Sequence, residues 1–217
     1  GRVTYPEPPN FHGTTFLKQV LWETTEHQDW LKEPYSEARF ERVTSSMWRY
    51  LDSLHPHLWR EGREFPDSAE VMMDLFADGI LDIALSFNPN DASQRILDGR
   101  FAPSVRTYIH EMGTVGNTHF LAIPFNADAR AGALVWLNLL LTPEAQAEKA
   151  DPSVWGDPTV IDVSRLGARD QELFRSLNLG PATLSAADRG TPLSEPHASW
   201  VEPIERAWKE RYFGKAR

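Results

Sequence analysis

The chain has 217 residues, 41% of them apolar and 24% charged, which excludes a disordered polymer. A chain of this length buries roughly 70% of its unfolded surface and needs no metal or disulfide staple to hold a core. With 31 acidic against 22 basic residues the net charge is −9, which argues against a nucleic-acid partner; the lack of cysteine excludes a disulfide scaffold, a thiolate zinc site and a cysteine nucleophile.

The absence of cysteine fits an exported bacterial protein as well as a cytosolic one. The N-terminus carries no initiator Met, basic region or apolar run. The chain reads as if it begins inside a structural element, so we expect a mature fragment of a longer protein.

Val3-Thr4-Tyr5 reads as a short strand ended by the prolines at 6, 8 and 9. A helix is expected over residues 14–26, with Thr14 or Thr15 as its cap. A second starts near Ser36, where Phe40, Val43, Met47, Leu51 and Leu54 form one apolar stripe. A third is capped by Asp67 or Ser68 and stopped by Gly79. Residues 81–87, Leu-Asp-Ile-Ala-Leu-Ser-Phe, read as a strand, followed by a turn and a short helix capped by Asp91. Residues 105–111 and 118–124 read as two more strands.

A strongly apolar helix is expected over residues 129–141, then another opened by Thr142 and Pro143. The first of these is apolar almost all round, and such a helix is normally buried on more than one face. It needs cover from the C-terminal segment, from a second copy, or from sequence outside this chain. After Asp151 the pattern weakens, leaving helices over residues 167–177 and 200–213. The order of elements is that of an α/β protein.

Two corners join a strand end to a helix start: residues 10–15, with Gly13 allowing close approach, and residues 86–91. Free backbone N–H groups gather at such places. The same residues also serve as ordinary turns and caps. No phosphate loop, dinucleotide loop or nucleophile elbow is present. His55, His57, His110 and His119 lack recognised metal spacing. No cofactor or metal is expected, and no motif marks a catalytic residue, although a Ser–His–Asp arrangement stays open at this point.

Taken in order, these pieces resemble the later part of bacterial ABC-transporter solute-binding proteins. The residues that carry the likeness are Asp-Gly-Ile-Leu-Asp-Ile-Ala-Leu-Ser-Phe at 78–87, Leu-Ala-Ile-Pro-Phe-Asn at 121–126, and Leu-Thr-Pro-Glu-Ala-Gln at 141–146. The runs at 3–16, 113–119 and 154–157 are similar to the YnjB-like family of such proteins. The resemblance implies a type II periplasmic-binding fold of two α/β lobes. Residues 1–110 would form one nearly complete ligand-binding lobe, 111–150 a crossover and part of the other lobe, and 151–217 a helical segment packing back on the first.

It further implies an exported, periplasmic solute-binding component that captures a small polar molecule and delivers it to an ABC permease. Asn10, Gly13, Thr14, Thr15, Asn88, Asn90, Asn117 and Thr118 match ligand-facing positions. Tyr5, Phe87 and Trp155 are the aromatic candidates for the walls. The alternatives are an effector-binding domain of a transcription regulator with the same fold, and a small-molecule transferase or hydrolase.

Overall fold

A computed structural model of the protein describes residues 1–116 and 118–213. The chain groups into two units, each built from separated segments. The first comprises residues 1–87, 109–117 and 190–217; the second comprises 88–108 and 118–189.

In the first unit, α1 (Phe11–Thr24) begins three residues before the expected start. Asn10 is its cap, accepting from the His12 N–H at 3.0 Å. α2 (Glu37–Leu54) buries Val43, Met47 and Leu51, three members of the expected stripe. α3 (Ala69–Ala77) is capped by Ser68, whose hydroxyl accepts from the Val71 N–H. α9 (Val201–Tyr212) contributes Ile204 and Trp208. The stripes of α1, α2 and α9 meet in one core with Tyr5, Leu17, Leu21 and Trp200.

Two polar side chains of α1 tie distant segments to it. Gln19 donates to the Gly113 carbonyl at 2.9 Å and accepts from the Val115 N–H at 2.8 Å, which pins the Gly113 turn to α1. Lys18 reaches Glu195 at 2.7 Å from a nearly buried position.

The second unit holds α4 (Asp91–Leu97), α5 (Arg130–Leu140), α6 (Pro143–Ala150), α7 (Ala168–Arg175) and the single turn α8 (Ala186–Arg189). α6 opens as its sequence dictates: Thr142 accepts from the Ala145 N–H, and Pro143 fills the first position. Gln146 is buried and anchors two stretches, donating to the Leu140 carbonyl at 2.7 Å and accepting from the Val160 N–H at 3.0 Å.

The strands are where expectation fails. Among the described residues there is no sheet; the only β pairings are single parallel bridges, Val3 with Ile83 and Val115 with Leu193. The expected strands at 105–111 and 118–124 form no ladder. A strand exists only with a neighbour to share its N–H and C=O groups, and alternation in the sequence does not supply one. The α/β, type II periplasmic-binding fold implied by the resemblance to YnjB-like solute-binding proteins is therefore corrected to a helical fold with two isolated bridges.

Candidate functional site

The expected site residues fall into two groups, one in each unit. In the first, Asn10 caps α1, and Gly13 lies so close to the Pro6 carbonyl that a Cβ would sit 2.0 Å from its oxygen. Only glycine permits that approach. Thr14 is bonded to Glu205 of α9, and the buried Thr15 hydroxyl has no partner among the described residues. Phe87 packs on Phe11 and His12, with ring centroids at 5.1 and 4.8 Å. Tyr5 is buried in the core: it meets His55 at 2.7 Å and accepts from the Trp208 N–H at 2.8 Å.

In the second unit, Asn88 accepts from the Asn90 N–H at 2.9 Å. The buried Asn90 amide donates to the Gly156 carbonyl, and its side-chain oxygen has no partner among the described residues. This brings Asn88 and Asn90 to Gly156, the residue that follows Trp155. The half-exposed indole lies 5.4 Å from the Lys149 ammonium and 5.6 Å from the His119 ring. Asp157 receives Lys149 at 2.5 Å and His119 at 3.6 Å. Thr118 is exposed, and Asn117 lies outside the described residues. Sequence reasoning passed over Lys149 and Asp157; their proximity to Trp155 in α6 and the turn after it was the available signal.

The larger feature of this unit is apolar. No residue of α5 is buried, although its sequence is Arg-Ala-Gly-Ala-Leu-Val-Trp-Leu-Asn-Leu-Leu. Val135 is 71% exposed, Trp136 59% and Leu134 53%. The preceding stretch is barer still: Phe120 is 85% exposed and Phe125 fully so. Between α5 and that stretch lies an open groove of about 260 Å³, lined among others by Leu121, Ile123, Pro124, Trp136 and Leu137. Covering a Leu, Val or Phe side chain fully gains roughly 1.5–3 kcal/mol, so this face forgoes several kcal/mol while it stays in water.

Chemically, this arrangement is suited to holding an apolar surface. Among the described residues no cluster of three or more His, Asp or Glu is arranged to hold a metal ion. No helix among them is long and apolar enough to cross a membrane.

No family model matches the chain, and no solved structure matches it significantly. It is similar to Protein YnjB of Escherichia coli (strain K12), with 45% identity over 212 residues, 98% of this chain and 53% of YnjB. The chain thus spans about half the length of that relative. The solute-binding role, the small-molecule ligand and the ABC-permease partner expected from the resemblance do not carry through. They required a cleft framed by sheet edges in two α/β lobes, and the described residues form no sheet. The same finding removes the effector-binding alternative, which shared the fold.

Proposed function

We propose that the chain works by binding and not by catalysis, as a helical docking module whose contact surface is α5 with the stretch before it. One observation carries this reading: an eleven-residue apolar helix without a single buried residue. Exposed apolar patches larger than a few hundred Å² are unusual on soluble monomers and mark interaction sites. The partner class that such a surface selects is polypeptide, because aliphatic and aromatic side chains without charges offer packing area and little else.

The exported, periplasmic location implied by the resemblance stays part of the proposal. Fractionation of source cells expressing the full-length protein tests it.

The docking reading is tested with a hydrophobic dye. The chain should bind the dye, and Val135→Asp with Leu139→Asp should abolish most of the signal while helical content is unchanged. A chain that excludes the dye would defeat the reading.

A further inference from the structure

We propose that the last turn of α9, residues 209–213, is an acid-released flap: protonation of His55 frees it from the end of α2 while the rest of the first unit stays folded. The device lies within the first unit and does not depend on the apolar surface of α5.

His55 caps the C-terminus of α2 and is buried. The Tyr212 ring lies over it, 3.9 Å from centroid to centroid, and the Phe65 ring lies 5.5 Å away. The Tyr5 hydroxyl, in the N-terminal segment, is 2.7 Å from its Nε2. Tyr212 is thus the share of this cover that α9 supplies.

The flap is held differently from the helix behind it. Ile204 and Trp208 are buried and anchor the preceding turns. Beyond them the attachment is polar and partly wet. Tyr212 donates to the exposed Asp52 at 2.9 Å; Arg211 reaches the same carboxylate at 3.6 Å, with its guanidinium 5.2 Å from the Trp48 ring. Exposed pairs of this kind contribute little, so the last turn is the part of this core that opens most easily.

A covered imidazole resists a charge, and its surroundings do not reverse that. Asp52 attracts the cation, but Tyr212 and Arg211 already engage its carboxylate, and Arg211 repels a second positive charge. Burial keeps the Tyr5 hydroxyl uncharged. The turn that packs on the His55 backbone pairs its own charges, Arg60 with Glu64 and Arg63 with Glu61. Burial therefore wins, and the imidazole pKa falls from 6.5 to about 4. An imidazole in water takes its proton near 6.5 and the covered one only near 4, so acid favours the state with the flap lifted. Between pH 7 and 4 the opening equilibrium should shift by on the order of 100-fold.

The test exploits the lack of cysteine, which makes a single introduced thiol specific. Nitroxide labels at the exposed positions Glu210→Cys on the flap and Glu41→Cys on α2 are followed by electron paramagnetic resonance from pH 7 to 4. The flap label should become mobile as pH falls while the α2 label stays ordered. Tyr212→Phe, which keeps the ring and loses the Asp52 bond, should raise the mobile fraction at a given pH by roughly 3- to 10-fold. His55→Gln should remove the pH response. Simultaneous mobilisation of both labels would mean that the unit unfolds as a whole, and an immobile flap label at pH 4 would mean that no flap exists; either overturns the proposal. So would an undiminished response in His55→Gln. If that variant does not fold, the ring resonances of His55 in the wild type decide the trigger: they should titrate in step with the flap label, and titration apart from it would overturn the assignment.

Discussion

The indole N–H of Trp208 donates to the hydroxyl of Tyr5 at 2.8 Å, joining two buried residues 203 positions apart. An indole only donates, so the Tyr5 oxygen accepts here, and the same hydroxyl lies 2.7 Å from His55 Nε2. This chain of bonds ties the N-terminal segment, the end of α2 and the last helix α9 into one core.

Replacing Tyr5 with Phe should cost about 1–3 kcal/mol. The ring area stays, so the loss comes from leaving the Trp208 N–H and the His55 nitrogen buried without a partner. Denaturant unfolding of the wild type and Y5F gives the difference. A change within ~0.3 kcal/mol would show that the network adds nothing to stability.

The same network sets a pH dependence. Burial lowers the His55 pKa from 6.5 to about 4, against a smaller opposing pull from Asp52. The folded state therefore binds fewer protons than the unfolded chain between these values. Stability is full above about pH 6.5 and declines as pH falls toward 4, by on the order of 2 kcal/mol once partial solvent contact is allowed for. His55→Gln keeps an acceptor without a titrating ring. Its unfolding free energy should fall less between pH 7 and 4.5 than that of the wild type, and equal slopes would place the effect on other groups.

The helices were legible because their signals are local. Ser68 before Ala69, Thr142 before Pro143 and Gly79 after Ala77 lie within a few residues of the ends they set. Even the misplaced start of α1 had its signal, since Asn10 follows two prolines and is a strong cap. The strands were not legible, because pairing is a relation between distant segments. Ile83 has the alternation of a strand and finds one bridge, to Val3. Of the expected site, Tyr5 reads as an aromatic wall until its buried partners are known, and the corner of Asn90 and Trp155 forms only through the Gly156 carbonyl.

A turn beyond α2 offers a stabilising change. Arg60 and Glu61 adopt left-handed backbone angles, with φ of 51° and 59°, followed by Gly62 at 65°. Side chains other than glycine pay roughly 1–2 kcal/mol there. Glu61→Gly should raise stability by up to about 1 kcal/mol, because its exposed pair with Arg63 contributes little and the added chain entropy offsets part of the relief. Gly62→Ala should do the reverse, since a Cβ would lie 2.7 Å from the His55 carbonyl oxygen. Melting temperatures of the two variants should move in opposite directions.

The last prediction compares two leucines of equal chemistry. Leu51 lies on α2, fully buried among Val43, Met47 and Trp48. Leu134 lies on α5 and is 53% exposed. Truncating Leu51 to Ala removes methyl groups from a packed core and leaves a cavity, which costs about 2–5 kcal/mol. Truncating Leu134 removes groups that water already wets, and Ala has a slightly higher helix propensity than Leu, so the chain alone should change by less than about 0.5 kcal/mol. The contrast reverses under binding. With a partner covering α5, Leu134 becomes a contact residue, and Leu134→Ala should weaken association while Leu51→Ala acts only through the folded fraction. Denaturant unfolding of each variant, followed by titration with the partner at saturating fold, separates the two effects. If Leu134→Ala destabilised the isolated chain as much as Leu51→Ala, α5 would already be packed in solution and its apolar face would not be open to any partner.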